Sequence, residues 1–173
     1  MDISASTFSD IDDIFTLYQQ GTEHQKKVAK KHWKGFERSL IEREISEKRQ
    51  YKFVIDNTIA CVFAIDYNDP FIWGEKDQDP SIYIHRIATN PAFRGQFFVR
   101  KIVDWAKKHA EKTGRKFVRM DTGSGNEKLN NYYVSCGFTY LGVVTLGNSD
   151  GLPAHYKDGA SSLFEIKLSE FDH

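Results

Sequence analysis

Apolar residues in this chain recur with two spacings, and the alternation between them predicts its elements. Ile11, Ile14, Phe15 and Tyr18 fall at i, i+3, i+4 and i+7, one face of a helix. Ser9 stands before them as an N-cap, with Asp12 in capping-box position. A short strand over residues 2–8 precedes this helix, and Gly21 is expected to end it. A second helix is predicted over residues 24–49, with Trp33, Phe36, Leu40, Ile41 and Ile45 on its apolar side. Its other face carries Lys26, Lys27, Lys30, Lys31 and Lys34, then Glu37, Glu42, Glu44 and Glu47, and reads as a solvated face of balanced charge.

The spacing then shortens to that of strands. Tyr51–Ile55 and Thr58–Ile65 are β-rich runs joined by Asp56-Asn57, the signature of a hairpin. Residues 66–80 read as a loop in which Tyr67, Phe71 and Trp73 stand among five acidic residues. That mixture suits either a solvated turn or the capture of a cationic amine. Ser81–Thr89 is a strand, Asn90-Pro91 ends it, and a helix follows over about residues 97–112. Phe98, Ile102, Trp105 and His109, flanked by Val99, Val103, Ala106 and Ala110, give this helix a broad apolar face. Counted as its first residue, Phe97 falls on the polar side with Arg100, Asp104 and Lys108, and its N–H can still serve the anion site if its φ is negative. Gly114 closes the helix and Phe117–Asp121 returns as a strand, most simply parallel to the first. After the loop Thr122–Asn126, Leu129, Tyr132, Tyr133 and Cys136 mark another helix, with Asn126 as N-cap and Gly137 as terminator. Phe138–Leu146 and Ser161–Leu168 are strands around a polar loop over residues 147–159. No repeat or linker interrupts the pattern, so residues 1–173 read as a single α/β domain.

Charge and composition narrow the function. With 24 basic and 24 acidic residues, the chain lacks the basic surface on which nucleic-acid binding rests. Two cysteines without metal-like spacing, and six histidines in no ligating pattern, give no indication of a metal. No apolar run approaches the roughly 20 residues of a membrane span, and the first residues lack a signal-peptide pattern. A cytoplasmic protein is expected.

The stretch from Ile87 to Val99, Ile-Ala-Thr-Asn-Pro-Ala-Phe-Arg-Gly-Gln-Phe-Phe-Val, concentrates the chemistry. A strand that feeds a glycine-containing loop and then a helix exposes unpaired N–H groups at the positive end of the helix dipole. A phosphate fits there, and Arg94 adds a charged donor. This order resembles the acetyl-CoA-binding motif of the GNAT superfamily of N-acetyltransferases. Asn126, Tyr133, Gly137 and Phe138 extend the resemblance through a second family motif, so that it spans about residues 50–146. The chain departs from the family pattern at Phe97 and Val99, where glycine and glycine or alanine are usual.

The resemblance implies a mixed, mostly antiparallel sheet of six or seven strands, flanked by about four helices, with central strands 4 and 5 splayed. It implies acetyl transfer from acetyl-CoA to a primary amine of a small molecule or protein, with no metal, and it admits a homodimer. The cofactor's pantetheine arm is expected along the backbone of Ile87, Ala88 and Thr89. Its pyrophosphate is expected on the N–H groups of Arg94, Gly95, Gln96, Phe97, Phe98 and Val99, with Asn126 approaching from the other side. Tyr133 is the expected acid toward the leaving thiolate. His85, on one strand face with Tyr83 and Ile87, is the candidate base. The Phe97 ring either crowds the phosphates or packs on the cofactor. The alternative reading is a binding module of the same fold with weak or lost turnover.

Overall fold

The structure is a computed structural model that describes residues 2–28, 33, 35–145 and 160–168. Lys30, Lys31 and Lys34, Leu146 and the expected loop over 147–159 lie outside the described residues. Seven strands form a sheet in the order β1-β2-β3-β4-β5-β7-β6. They are β1 (Asp2–Ala5), β2 (Gln50–Ile55), β3 (Thr58–Asp66), β4 (Ser81–Thr89), β5 (Phe117–Gly123), β6 (Thr139–Thr145) and β7 (Ala160–Lys167). The helices are α1 (Ile11–Val28), α2 (Arg38–Ser46), α3 (Pro70–Trp73), α4 (Phe98–Lys112) and α5 (Glu127–Ser135). The chain divides into two compact units, residues 1–65 with 85–98 and residues 66–84 with 99–173.

In the first unit, β1 and β3 both pair antiparallel with β2. Asp56 and Asn57 turn the β2–β3 hairpin with φ of 49° and 64°. Two successive left-handed residues make the type I′ turn that matches strand twist, and Asp and Asn tolerate that conformation best after glycine. Helices α1 and α2 close a core of Ile11, Ile14, Leu17, Tyr18, Ile41 and Ile45 over Val62 and Ala88. The expected cap at Ser9 is replaced by Thr7, whose N–H donates to Asp10 Oδ2 at 2.8 Å ahead of a 3-10 turn over Phe8–Asp10. The apolar period alone did not place that extra turn.

Gly21 does not end α1, which runs on to Val28. Its missing side chain has another purpose. A Cβ at Gly21 would lie 2.8 Å from Cζ3 of Trp33, which packs edge-on to Tyr18 with ring centroids 5.8 Å apart. The single helix expected over 24–49 is likewise divided. Residues 24–28 finish α1, Gly35 is left-handed at φ 104°, and α2 begins at Arg38. Trp33 and Phe36 belong to the stretch between the helices and still fill the core that the helical pattern assigned them.

In the second unit, Ser81–Ile84 of β4 pair in parallel with Phe117–Met120 of β5, as the β-loop-α-β reading requires. β7 pairs antiparallel with both β5 and β6. The expected loop over 66–80 is folded into α3 and a 3-10 turn over Gly74–Gln78, and it buries Ile72 and Trp73. Its acids have structural partners. Asp77 accepts from the Asp69 N–H at 2.6 Å and from the Tyr83 hydroxyl at 2.9 Å. Arg119, 1% exposed, donates to Asp79 Oδ2, Lys76 O, Tyr83 Oη and Glu165 Oε1 at 2.7–3.1 Å. Its guanidinium also lies 4.7 Å from the centre of the Trp73 ring.

The packing at Gly21 sets a test. Alanine is favoured over glycine by about 1 kcal/mol in a helix interior, yet overpacking a core costs about 1–3 kcal/mol. Gly21→Ala is therefore expected to lower stability by about 1 kcal/mol, read as a reduced urea midpoint. A raised midpoint would show that Trp33 yields freely.

Candidate active site

β4 carries the site, and its backbone departs from regular extension at one residue. Arg86 has φ 50°, the left-handed region, within an otherwise buried strand. Left-handed backbone costs a non-glycine residue roughly 1–2 kcal/mol, so it persists where the surroundings fix it. Here the surroundings are specific. The Arg86 guanidinium donates to both carboxylate oxygens of Glu44, which is 1% exposed. It lies 5.2 Å from the Phe36 ring centre and within 3.4 Å of Tyr18 Oη. Gln50 Nε2 donates to the same hydroxyl at 2.8 Å. Burial opposes the guanidinium's charge, but Tyr18 and then Glu44 raise its proton affinity above the usual range, while burial raises the Tyr18 phenol above its own. This kink interrupts the strict strand alternation used to put Ile87 on one face with Tyr83 and His85. The sequence reading missed Arg86. The available signal was one guanidinium in an apolar strand, with Glu44 at i+4 from Leu40 and i+3 from Ile41 rather than on the solvated face to which it was assigned; the pairing itself is tertiary.

The residues after the kink lead along the first unit's core to Asn90. Ala88 is buried against the α1–α2 core and Ile87 is half-buried. Thr89 Oγ1 lies 3.8 Å from Cys61 Sγ. Asn90 then fixes the end of the strand. Its N–H donates to Ala60 O at 2.8 Å, its side-chain amide to Ile59 O at 3.2 Å, and its Oδ1 accepts from Ala92 N–H at 3.1 Å. A 3-10 turn over Pro91–Phe93 follows, and Arg94, Gly95, Gln96 and Phe97 are exposed ahead of α4.

Phe97 corrects an expectation. It is not the first residue of the helix, and the negative φ on which the anion site was made to depend is not present; Phe97 stands one residue before α4 with φ 56° and its side chain 62% exposed. Gly95, two residues earlier, has φ 89°. The chain thus keeps a left-handed residue at the position where the related motif has glycine, although the side chain is aromatic. Helical phase does not apply to Phe97, so it gives no direction for the ring. Phe98 opens the helix and packs on Phe53, with ring centroids 5.2 Å apart. Val99, next to it, is half-buried. The unpaired N–H groups of the first turn therefore follow directly on an exposed loop with two left-handed residues, and this backbone suits a pyrophosphate.

His85 immediately precedes the kink and is 9% exposed. Tyr83 has a different setting: it accepts from Arg119 and donates to Asp77, and burial first of all pushes its phenol up to about 12. It is a fixed part of the Arg119 network. In the second unit, Asn126 caps α5 as expected, its Oδ1 accepting from Leu129 N–H at 3.1 Å. Tyr133 is 8% exposed, about two helical turns further on. It meets Phe164 and Phe138 edge to face, at 5.3 and 6.3 Å between centroids, and stacks with Tyr132 at 5.9 Å. Burial, then Tyr132, Cys136 and Asp121, raises the Tyr133 phenol far above its ordinary value, so it stays protonated across the neutral range.

The profile of the acetyltransferase (GNAT) family matches residues 10–138, and the chain belongs to that family. As a member it is an N-acetyltransferase. It is similar to YesJ of Bacillus subtilis, named as an uncharacterized N-acetyltransferase, with 22% identity over 150 residues, 82% of this chain and 83% of that protein. Among solved structures it is similar to a GNAT-family acetyltransferase of Listeria monocytogenes, at TM-score 0.76 and 23% identity, covering 96% of this chain and 94% of that one. It also resembles yncA of Salmonella typhimurium, described as having acetyl-CoA as its cofactor, at TM-score 0.69 and 13% identity over 100% of this chain and 96% of that one. The resemblance stated from the sequence and the expected fold both hold. Among the described residues no helix is long and apolar enough to cross a membrane.

Position 97 provides a test by sign. In a helix, alanine outranks glycine by about 1 kcal/mol; at left-handed φ the order reverses by a similar amount. Phe97→Gly is expected to be more stable than Phe97→Ala by about 1 kcal/mol in urea unfolding. The opposite order would place Phe97 in helical backbone.

Proposed function

We propose that the protein transfers the acetyl group of acetyl-CoA to a primary amine of a small molecule or protein, in one catalytic domain. The observation that carries the reading is the Tyr133 phenol, buried and held protonated on the helix that Asn126 caps. The amine nitrogen attacks the thioester carbonyl, the C–S bond breaks, and the departing thiolate takes its proton from Tyr133. His85, on β4, takes the proton that the ammonium loses; its side chain is buried, which keeps bulk water from competing. The backbone of Ile87, Ala88 and Thr89 offers the extended edge along which an amide-bearing arm pairs as an added strand. Arg94, Gly95, Gln96, Phe97, Phe98 and Val99 supply the N–H groups and the one guanidinium for the pyrophosphate. Acetyl-CoA supplies the activated acyl group, and the step requires no metal. The yncA relative, described with acetyl-CoA, supports that choice of cosubstrate. Neither nucleic acid nor membrane enters the reading.

A second reading, a binding module of this fold, is favoured by Phe97 and Val99. The left-handed φ of Phe97 weakens that case, because it is a backbone form that glycine, the family's residue there, adopts readily.

Thiol release with acetyl-CoA and an amine panel separates an enzyme from a binder. Tyr133→Phe is expected to lower kcat by roughly 10- to 1,000-fold, in the range of a lost general acid, with little change in acetyl-CoA affinity. Unaltered kcat would remove Tyr133 from the mechanism. Because its phenol is raised and stays protonated, the wild-type rate should show no alkaline decline from this group below pH 9 or so. His85→Ala should lower the rate and change the acidic limb of the pH–rate profile; a profile identical to wild type would count against His85 as base.

A further inference from the structure

One face of α1 has no part in the core. Thr16, Gln20, Glu23, His24 and Lys27 repeat at helical spacing along it, a stripe that reads as solvated surface. In the structure that stripe forms one wall of a groove of about 430 Å³, whose other wall is Pro91 and Arg94 of the loop ahead of α4. The groove therefore opens beside the exposed backbone of Arg94–Phe97. Its charge is predominantly positive. A guanidinium, an ammonium and an imidazole line it, and the one acid among the described lining residues, Glu23, is ion-paired with Lys26 at 3.3 Å. The two cations act on the imidazole. After burial, the positive charges of Arg94 and then Lys27 hold the His24 imidazole below its ordinary range. That places charges from two separate elements close to one ring. Thr16, Gln19 and Gln20 add uncharged donors along the same wall.

We propose that this groove is a binding site for a phosphate monoester, seated among Arg94, Lys27 and His24. A dianion answers the Arg94 and Lys27 charges and favours the protonated form of His24, so that each of the three groups can donate a charge-assisted hydrogen bond to it. The volume exceeds that of a phosphate alone and admits the sugar that bears it. Two sources share this chemistry. One is the 3′-phosphate of CoA, which lies one sugar away from the pyrophosphate; this source rests on the acetyltransferase reading. The other is a phosphate carried by a separate ligand, including an acceptor.

The test uses the full chain, calorimetric titration at one salt concentration, and three probes: CoA, 3′-dephospho-CoA and inorganic phosphate. Lys27→Gln is compared with wild type, and Lys108→Gln, an exposed charge change on α4, is the control. The expected result is that wild type binds CoA about tenfold or more tightly than 3′-dephospho-CoA, the scale of one charge-assisted contact. Lys27→Gln should abolish most of that preference while leaving the 3′-dephospho-CoA affinity unchanged, and Lys108→Gln should preserve it. If the two nucleotides bind alike, phosphate is titrated into the CoA-saturated protein. Binding there that Lys27→Gln weakens assigns the monoester to a separate ligand and sustains the site. If Lys27→Gln changes neither the nucleotide preference nor phosphate binding, the groove is not a phosphate site. If neither nucleotide binds, the acetyltransferase reading fails. Phosphate titrated into the free protein, with the same variant, then decides the groove by itself.

Discussion

The Glu44 carboxylate is the constraint on which the first unit depends. A guanidinium in a strand interior is tolerable only when its charge is answered there, because removing an ion from water costs several kcal/mol after relaxation. Glu44 answers Arg86 with both oxygens, and Arg49 stands 3.9 Å away on its other side. Tyr18 and Gln50 complete the polar cluster, with Tyr18, Trp33 and Phe36 packed as its apolar wall. So α1, α2, β2 and β4 meet at one charge pair. The same pair anchors a left-handed residue in β4, directly between His85 and the Ile87–Thr89 backbone. Stability and the shape of the proposed cofactor edge are therefore set by one interaction.

The loop ahead of α4 shows how backbone form and residue identity can separate. Glycine is the usual occupant of left-handed positions because it has no Cβ to clash. Phe97 adopts that form without this exemption, and Gly95 retains it. What the anion site requires is the direction of the N–H groups, and any residue except proline supplies an N–H. The exposed aromatic side chain of Phe97 leaves its N–H in place for the proposed anion site.

Much of this was legible in the residues. The hairpin turn at Asp56-Asn57, the bounds of β4, the Asn126 cap and the parallel return of β5 are all local signals, and each lies where the sequence put it. The errors share a cause. Gly21 reads as a stop because glycine ends helices, but its role is to admit the Trp33 ring, a contact between distant positions. The acids of residues 66–80 read as solvated or as bait for an amine, but Arg119 and Tyr83 hold two of them. Phe97 was assigned by helical phase, and phase has no meaning one residue before the first turn. The Arg86–Glu44 pair joins positions 42 residues apart, and no periodicity marks it.

Arg119 has a consequence for how the chain is made. Its guanidinium is buried and takes acceptors from Lys76, Asp79 and Tyr83, all synthesised before it, and from Glu165, which follows by 46 residues. β5 also waits for β7, its antiparallel neighbour over the full run from Phe117 to Gly123. During synthesis, therefore, Arg119 is joined with Asp79 already present and its second carboxylate, the half-buried Glu165, still to come. A burial that leaves a charge incompletely answered is unfavourable. The pairing of β5 therefore waits for β7, whereas residues 1–65 and 85–98 are synthesised before either of those strands is complete.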